Sequence, residues 1–146
     1  MKARIERERI PKGSDAALNL KLGRGGLVDV EFAVQLLQLE HGAARAGVRT
    51  PSTPEAIERL CTAGVVDSDG AERLAAAYRF ASRVRDQLWL MAARSTDALP
   101  THHDDLGRLA LSLGYQRHPA PSLREDWRRL ARRAHTVVEG ILYPEG

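Results

Sequence analysis

The sequence is poor in cysteine, in aromatic residues and in long apolar runs. Its one cysteine, Cys61, cannot form an internal disulfide, which favours a reducing compartment. No apolar run approaches the ~18 residues that a membrane helix needs. Residues 1–9 are charged throughout, unlike a signal peptide. We therefore expect a cytoplasmic protein that has no membrane partner.

Lysine is scarce too, since arginine supplies nearly all of the 22 basic residues, and the formal net charge is only +3. Arginines concentrate in the last helical segment, but Glu125 and Asp126 dilute them there. This pattern favours a solvated or protein-docking face, and we expect no nucleic-acid partner. At 146 residues, the chain is long enough for one domain with its own core.

Five segments combine helix-start residues with apolar residues at helical spacing. One of these starts is the capping box Ser122–Glu125, which is predicted to open the last helix. Apart from an extended stretch at 19–22, no strand is predicted. We expect an all-α bundle of about five helices spanning 11–146, preceded at 1–10 by the tail of an upstream helix. The predicted helices are centred on Val34, Ile57, Ala81, Leu109 and Ala131.

The stretch Leu20–Gly42 organises the chain. A glycine-rich turn precedes a helix that runs to Gly42, and Asp29 lies in its first turn, where the helix dipole favours an acid. This helix carries two apolar faces, so we expect it to be central and surrounded by other elements. The faces are Val30, Ala33, Val34 and Leu37, and Phe32, Leu36 and Leu39.

The candidate binding residues lie in the turn before that helix: Lys21, Arg24, Gly25 and Gly26. Free backbone N–H groups and two cations at a helix start can bind an anion such as a phosphate. The alternative is a tight turn with a satisfied helix end. The residues favour this alternative, because the motif is neither a P-loop nor a dinucleotide-binding fingerprint.

Glu31 is a polar residue on a mostly apolar helix, and Arg85 lies at the edge of another apolar stripe. A buried charge needs a partner, so we predict a structural ion pair between them. Asp29 and Glu31 are two residues apart and point to different helix faces, which argues against a metal site. The histidines lack metal-ligand spacing, and no catalytic constellation is complete.

One motif has a family resemblance. The run Lys21-Leu-Gly-Arg-Gly-Gly-Leu-Val-Asp29-Val-Glu31-Phe-Ala-Val-Gln35 closely resembles the start of the helical domain of glutamine synthetase adenylyltransferase/adenylyl-removing enzymes. PII uridylyltransferases contain a similar helical domain. The segment around Val84-Arg85-Asp86 also resembles the family. The resemblance covers nearly the whole chain.

The resemblance implies a helical domain that works beside a nucleotidyltransferase domain. The full-length enzyme would use ATP and Mg to transfer AMP to a tyrosine of glutamine synthetase. The catalytic Gly-Ser motif and metal-binding aspartates of the family are absent here, so this chain is not expected to be active alone. Asp29 and the position of Tyr143 suggest the C-terminal, adenylylating half. The alternative is a non-catalytic module that binds glutamine synthetase or a PII-type signal protein.

Overall fold

The computed structural model describes residues 15–92 and 96–144, and five α-helices dominate them. The prediction of an all-α bundle of about five helices is confirmed, and each predicted centre lies inside its helix. The predicted upstream helix tail at 1–10 lies outside the described residues. The helices are α1 (Leu27–His41), α2 (Thr53–Thr62), α3 (Ser68–Ala92), α4 (His103–Ser112) and α5 (Pro119–Leu142).

One predicted helix start is shifted in the structure. At α2 the Ser52 side chain accepts the N–H of Glu55 and caps the helix. The prediction that α5 begins at Ser122 is wrong, because the helix begins at Pro119. Proline is well suited to the first turn of a helix, since its fixed φ is already helical. The Ser122 hydroxyl instead donates to the carbonyl oxygen of Arg117.

The helices enclose two hydrophobic clusters. One is formed by α3, α4 and α5, and Trp127, Leu106 and Leu123 are fully buried in it. The other lies among α1, α2 and the first half of α3, with Ile57 at its centre. Tyr78 packs against both clusters. Helices α3 and α5 therefore connect the two halves of the core.

Trp127 ties the start of the described chain to α5. Its side chain has no solvent exposure, and its ring stacks on Phe80 with centroids 6.0 Å apart. Its indole N–H donates to the carbonyl oxygen of Ala17 at 3.1 Å. A buried tryptophan normally finds such a partner, because an unpaired donor in the core is costly. The short 3-10 turn Ala16–Leu18 is thus held against α5.

Helix α1 differs from the prediction on one side. Its first apolar face is buried against α2, α3 and α5. The second face is open among the described residues: Phe32 is 44% exposed and Leu39 is 82% exposed. Among residues 15–92 and 96–144 the prediction of a surrounded central helix is therefore wrong, because their helices cover α1 on one side only.

Tyr115 links the turn after α4 to α5. Its hydroxyl donates to Oδ2 of Asp126 at 2.5 Å. Burial raises the pKa of this phenol above its usual value, and the neighbouring Asp126 carboxylate raises it further. The neutral form of Tyr115 is therefore favoured in the folded protein.

Among the described residues, no helix is both long enough and apolar enough to cross a membrane.

We expect Trp127→Ala to lower the free energy of unfolding by about 3–5 kcal/mol, because it leaves a cavity and an unpaired carbonyl group. The matched control is Trp89→Ala, since Trp89 is 55% exposed, and its cost should stay within about 0.5 kcal/mol. Urea unfolding followed by circular dichroism measures both. Equal losses would contradict the buried position of Trp127.

Tyr115 should make the fold sensitive to alkali. Because its pKa is higher in the folded than in the unfolded chain, stability is unaffected below pH ~10 and falls as pH rises above it. Tyr78, whose pKa burial also raises, contributes with the same sign. Urea midpoints measured from pH 8 to 11 should therefore fall less steeply in Tyr115→Phe than in the parent. Identical slopes would show that Tyr115 titrates alike in both states.

Candidate functional site

The candidate loop Lys21–Gly26 follows a short extended segment anchored on both sides. The buried side chain of Asn19 accepts the N–H groups of Lys21 at 3.1 Å and Leu22 at 2.7 Å. The N–H of Leu20 donates to the carbonyl of Asp97 at 2.6 Å. Asn19 also forms an antiparallel bridge with Ala98. The loop thus begins from a fixed base.

The glycines of the loop are required by space. Gly25 has φ +74°, and a Cβ there would lie 1.9 Å from the carbonyl oxygen of Ala131 on α5. A Cβ at Gly23 would lie 2.4 Å from the carbonyl oxygen of Ala16, and one at Gly26 would also meet backbone. Each of these atoms is closer than a real Cβ can approach. The loop therefore packs backbone against backbone on α5.

The N–H groups at the start of α1 are engaged within the protein. The N–H of Gly25 donates to Oδ2 of Asp29 at 2.8 Å, and that of Gly26 donates to the Gly23 carbonyl at 2.9 Å. The next two amides of α1 donate to the carbonyl oxygens of Leu20 and Lys21. The amides that supported a phosphate site are thus already used. What remains of that hypothesis rests on the Lys21 and Arg24 side chains.

These two cations are differently placed. Lys21 is half-buried at the start of the loop, and Arg24 is exposed at its tip. Within the described ranges, neither side chain forms an ion pair. The loop therefore presents positive charge to whatever binds this surface.

Asp29 lies in the first turn of α1, as predicted, with Gly26 as the N-cap residue. Asp29 is 1% exposed, and its carboxylate accepts the Gly25 N–H. It therefore holds the loop in place in addition to interacting favourably with the helix dipole. His135 of α5 lies nearby, with Nδ1 3.9 Å from Oδ2 of Asp29. This neighbour could not be predicted from the sequence, because His135 is far along the chain and no motif links it to Asp29.

The predicted pair between Glu31 and Arg85 is not formed. Nη2 of Arg85 lies 2.8 Å from Oδ1 of Asp97, whereas Oε1 of Glu31 lies 3.4 Å from the Tyr78 hydroxyl. Tyr78 and Arg85 are about 10 Å apart along the axis of α3, and the Glu31 carboxylate lies at the level of Tyr78. Both acids and both partners are half-buried, and they make separate contacts.

Asp97 was missed because it lies in a loop between helices. Its carboxylate meets Arg85 of α3, and its backbone carbonyl accepts the Leu20 N–H. It therefore connects α3 to the base of the candidate loop. No helical period could have indicated this role, since the contact depends on how the loop crosses the bundle.

Among the described residues, the donor groups do not suit a metal ion, and the backbone amides of the loop are not free for a phosphate. Across residues 15–92 and 96–144, no three side chains of His, Cys, Asp or Glu converge as metal ligands. Asp29 is directed to the Gly25 amide, and the amides of the glycine loop have internal acceptors. The site can offer cationic side chains on a rigid loop, and it offers neither a nucleophile nor a metal centre.

The described residues thus form an all-helical domain whose glycine loop packs against its last helix. The chain belongs to the family described as GlnD PII-uridylyltransferase, whose model matches residues 1–142. It is also similar to proteins named bifunctional glutamine synthetase adenylyltransferase/adenylyl-removing enzyme. The identities are 45% to that of Leifsonia xyli subsp. xyli, 43% to that of Streptomyces coelicolor and 42% to that of Streptomyces avermitilis.

Each of these matches covers 143 residues, which is 98% of this chain and 14% of the relative. The chain thus spans about one seventh of the length of these relatives. The chain is therefore homologous to one domain of a bifunctional glutamine synthetase adenylyltransferase, and the family resemblance read from the motif is confirmed.

We expect Gly25→Ala to be much more destabilising than Gly64→Ala. Both glycines have positive φ, which costs an alanine about 1–2 kcal/mol, but a Cβ at Gly64 meets no atom within 4 Å. The difference between the two variants isolates the contact with Ala131. Thermal melting and urea unfolding of the two variants both measure this difference in stability. Equal costs would show that the loop does not touch α5.

Proposed function

We propose that this chain is the helical domain of a glutamine synthetase adenylyltransferase, in the C-terminal, adenylylating half of the longer enzyme. The observation that carries the proposal is the 42–45% identity over 98% of the chain to proteins of that name. The description of the family model refers to PII uridylyltransferase, whereas the names of the relatives refer to glutamine synthetase. The longer cytoplasmic enzyme would move AMP from ATP to a tyrosine of glutamine synthetase.

In this proposal the chemistry belongs to a separate nucleotidyltransferase domain. That domain would bind ATP and Mg, since the described residues here offer no group of metal ligands. Nucleotidyl transfer depends mainly on positioning and on stabilising charge at the phosphates. The helical domain would form one side of the interdomain cleft, and Lys21 and Arg24 would lie on that side.

The rigidity of the loop supports this role. Its backbone is fixed by Asn19, by Asp29 and by contact with Ala131. A cation carried on a fixed loop loses less entropy when it contacts its partner than one on a mobile loop does. Lys21 and Arg24 would thus contact the phosphates of ATP or acidic residues of the catalytic domain.

The second candidate is a non-catalytic docking module for glutamine synthetase or a PII-type signal protein. It is favoured by the exposed arginines of α5, among them Arg128, Arg129, Arg132 and Arg133. A basic face of this kind suits an acidic protein partner. Binding of glutamine synthetase by the 146-residue chain alone, without any nucleotidyltransferase domain, would favour this candidate.

The test uses the Leifsonia xyli relative with its matching segment replaced by this chain. In that protein we expect Lys21→Ala and Arg24→Ala to lower the rate of AMP transfer to glutamine synthetase about tenfold, which corresponds to the loss of one charge-assisted contact. The melting temperature should stay near that of the parent, because neither side chain has an ion partner among the described residues. Labelled AMP incorporated into glutamine synthetase is the measurement.

The matched control is Arg129→Ala, an exposed arginine on α5 that pairs only with Asp126 nearby. It should leave the rate unchanged. A loss of stability with unchanged activity per folded molecule would show that the loop is only a structural turn. AMP transfer by the 146-residue chain alone would overturn the view that the chemistry lies in another domain.

A further inference from the structure

The outer side of α1 is an apolar stripe that the described residues leave uncovered. Val28, Phe32, Gln35 and Leu39 follow one another at spacings of four, three and four residues, so they lie along one line of the helix. Phe32 is 44% exposed and Leu39 is 82% exposed. Half-buried Leu36 widens the stripe toward α5. The stripe runs for the whole length of the helix.

A groove continues the stripe at its C-terminal end. It measures about 600 Å³ and lies between Leu39 on α1 and Arg49 in the loop that follows. Hydrogen bonds fix the residues that line the groove. The Gln38 side chain donates to the carbonyl oxygens of Val48 and Thr50, and Nε of Arg49 donates to the carbonyl oxygen of Gly42. A firm apolar surface of this kind is typical of an interface rather than of a solvated helix face.

Positive charge borders the other end of the stripe. The Val28 N–H donates to the carbonyl of Lys21, so Lys21 adjoins the first residue of the stripe. Gly25 lies against Ala131 of α5, which brings the neighbouring Arg24 to the same edge.

Two arginines of α5 extend this border. At about 100° per residue, Arg128 and Arg132 lie about 60° and 100° around α5 from Ala131. They are on the same side as His135, which faces Asp29 of α1. Glu125 lies 3.6 Å from Arg128 and offsets part of its charge. Arg129 and Arg133 lie on the far side of α5, so they serve as controls.

We propose that this surface is an interface for an adjoining domain of the same longer polypeptide, and that the partner domain presents an apolar centre edged by carboxylates. Apolar centres with polar rims are the usual anatomy of such contacts, and opposite charges at the rim give orientation. The chain spans only 14% of the relatives, so most of the longer protein is available to cover the stripe. The proposal rests on the proposed function only in taking the chain as part of that longer protein.

Another exposed apolar group, Trp89 to Met91, lies at the end of α3 beside residues that the structure does not describe. The α1 stripe, in contrast, has described residues at both of its ends, Lys21 at one and Arg49 at the other.

Thiol labelling tests the interface without requiring AMP transfer. In a Cys61→Ala background, Gln35→Cys places a thiol in the middle of the stripe, and Arg133→Cys places one on the far side of α5. Maleimide labelling is measured in the 146-residue chain and in the Leifsonia xyli protein that carries this chain. We expect Gln35→Cys to react about tenfold more slowly in the longer protein, because a covered thiol loses access to the reagent. Arg133→Cys should react alike in both.

The border is tested in the same longer protein. Arg128→Glu with Arg132→Glu should restore labelling at Gln35→Cys, whereas Arg129→Glu with Arg133→Glu should not. Equal labelling of Gln35→Cys in the short and long proteins would overturn the proposal. Protection that appears only after glutamine synthetase is added would also overturn it, because the occupant would then be a separate protein. A longer protein that shows protection but transfers no AMP would instead count against the proposed function alone.

Discussion

The close approach of Gly25 to Ala131 is the contact on which the rest of the structure depends. It brings the backbone of the loop against the backbone of α5, with no side chain between them. The buried Asp29 carboxylate accepts the Gly25 N–H, and it also lies close to His135 of α5. Because of this contact, the start of α1, the loop cations and the middle of α5 form one unit.

In the proposed function, that unit is what the described residues would contribute to AMP transfer. The backbone N–H groups of the loop donate to acceptors within the protein. The loop therefore differs from the sites in other folds where free backbone amides bind phosphate. What it retains is a fixed position for Lys21 and Arg24. Orientation of charge, rather than a reactive atom, is what the described part of this chain can supply.

Much of the fold could be predicted from local signals. The apolar spacing along α2 and α3 depends on neighbours in sequence, and it indicated these helices correctly. The wrong start of α5 arose because two cap signals compete there, and Pro119 outweighs Ser122. Apolar periodicity showed that α1 has two apolar faces, but it could not show which of them this chain covers.

The site was harder to predict than the fold, because its contacts join distant parts of the chain. The candidate loop was evident from its glycines, but the reason for Gly25 was not, since the atom that a side chain there would meet belongs to Ala131, far along the sequence. Arg85 has Asp97 as its partner because a loop crosses the bundle there. Glu31 was predicted as the partner of Arg85 from its polarity alone. That prediction did not take into account the distance along α3 between Arg85 and Tyr78, which Glu31 contacts.

The hydrogen bond from Trp127 to Ala17 joins positions 110 residues apart. Closing so long a loop is slow compared with forming a helix, because its entropic cost precedes any gain from contacts. On a ribosome, the glycine loop therefore emerges long before the helix that gives it shape. The basic surface comes into existence only when synthesis has passed α5, so a nascent or truncated protein lacks it even where Lys21 and Arg24 are already present.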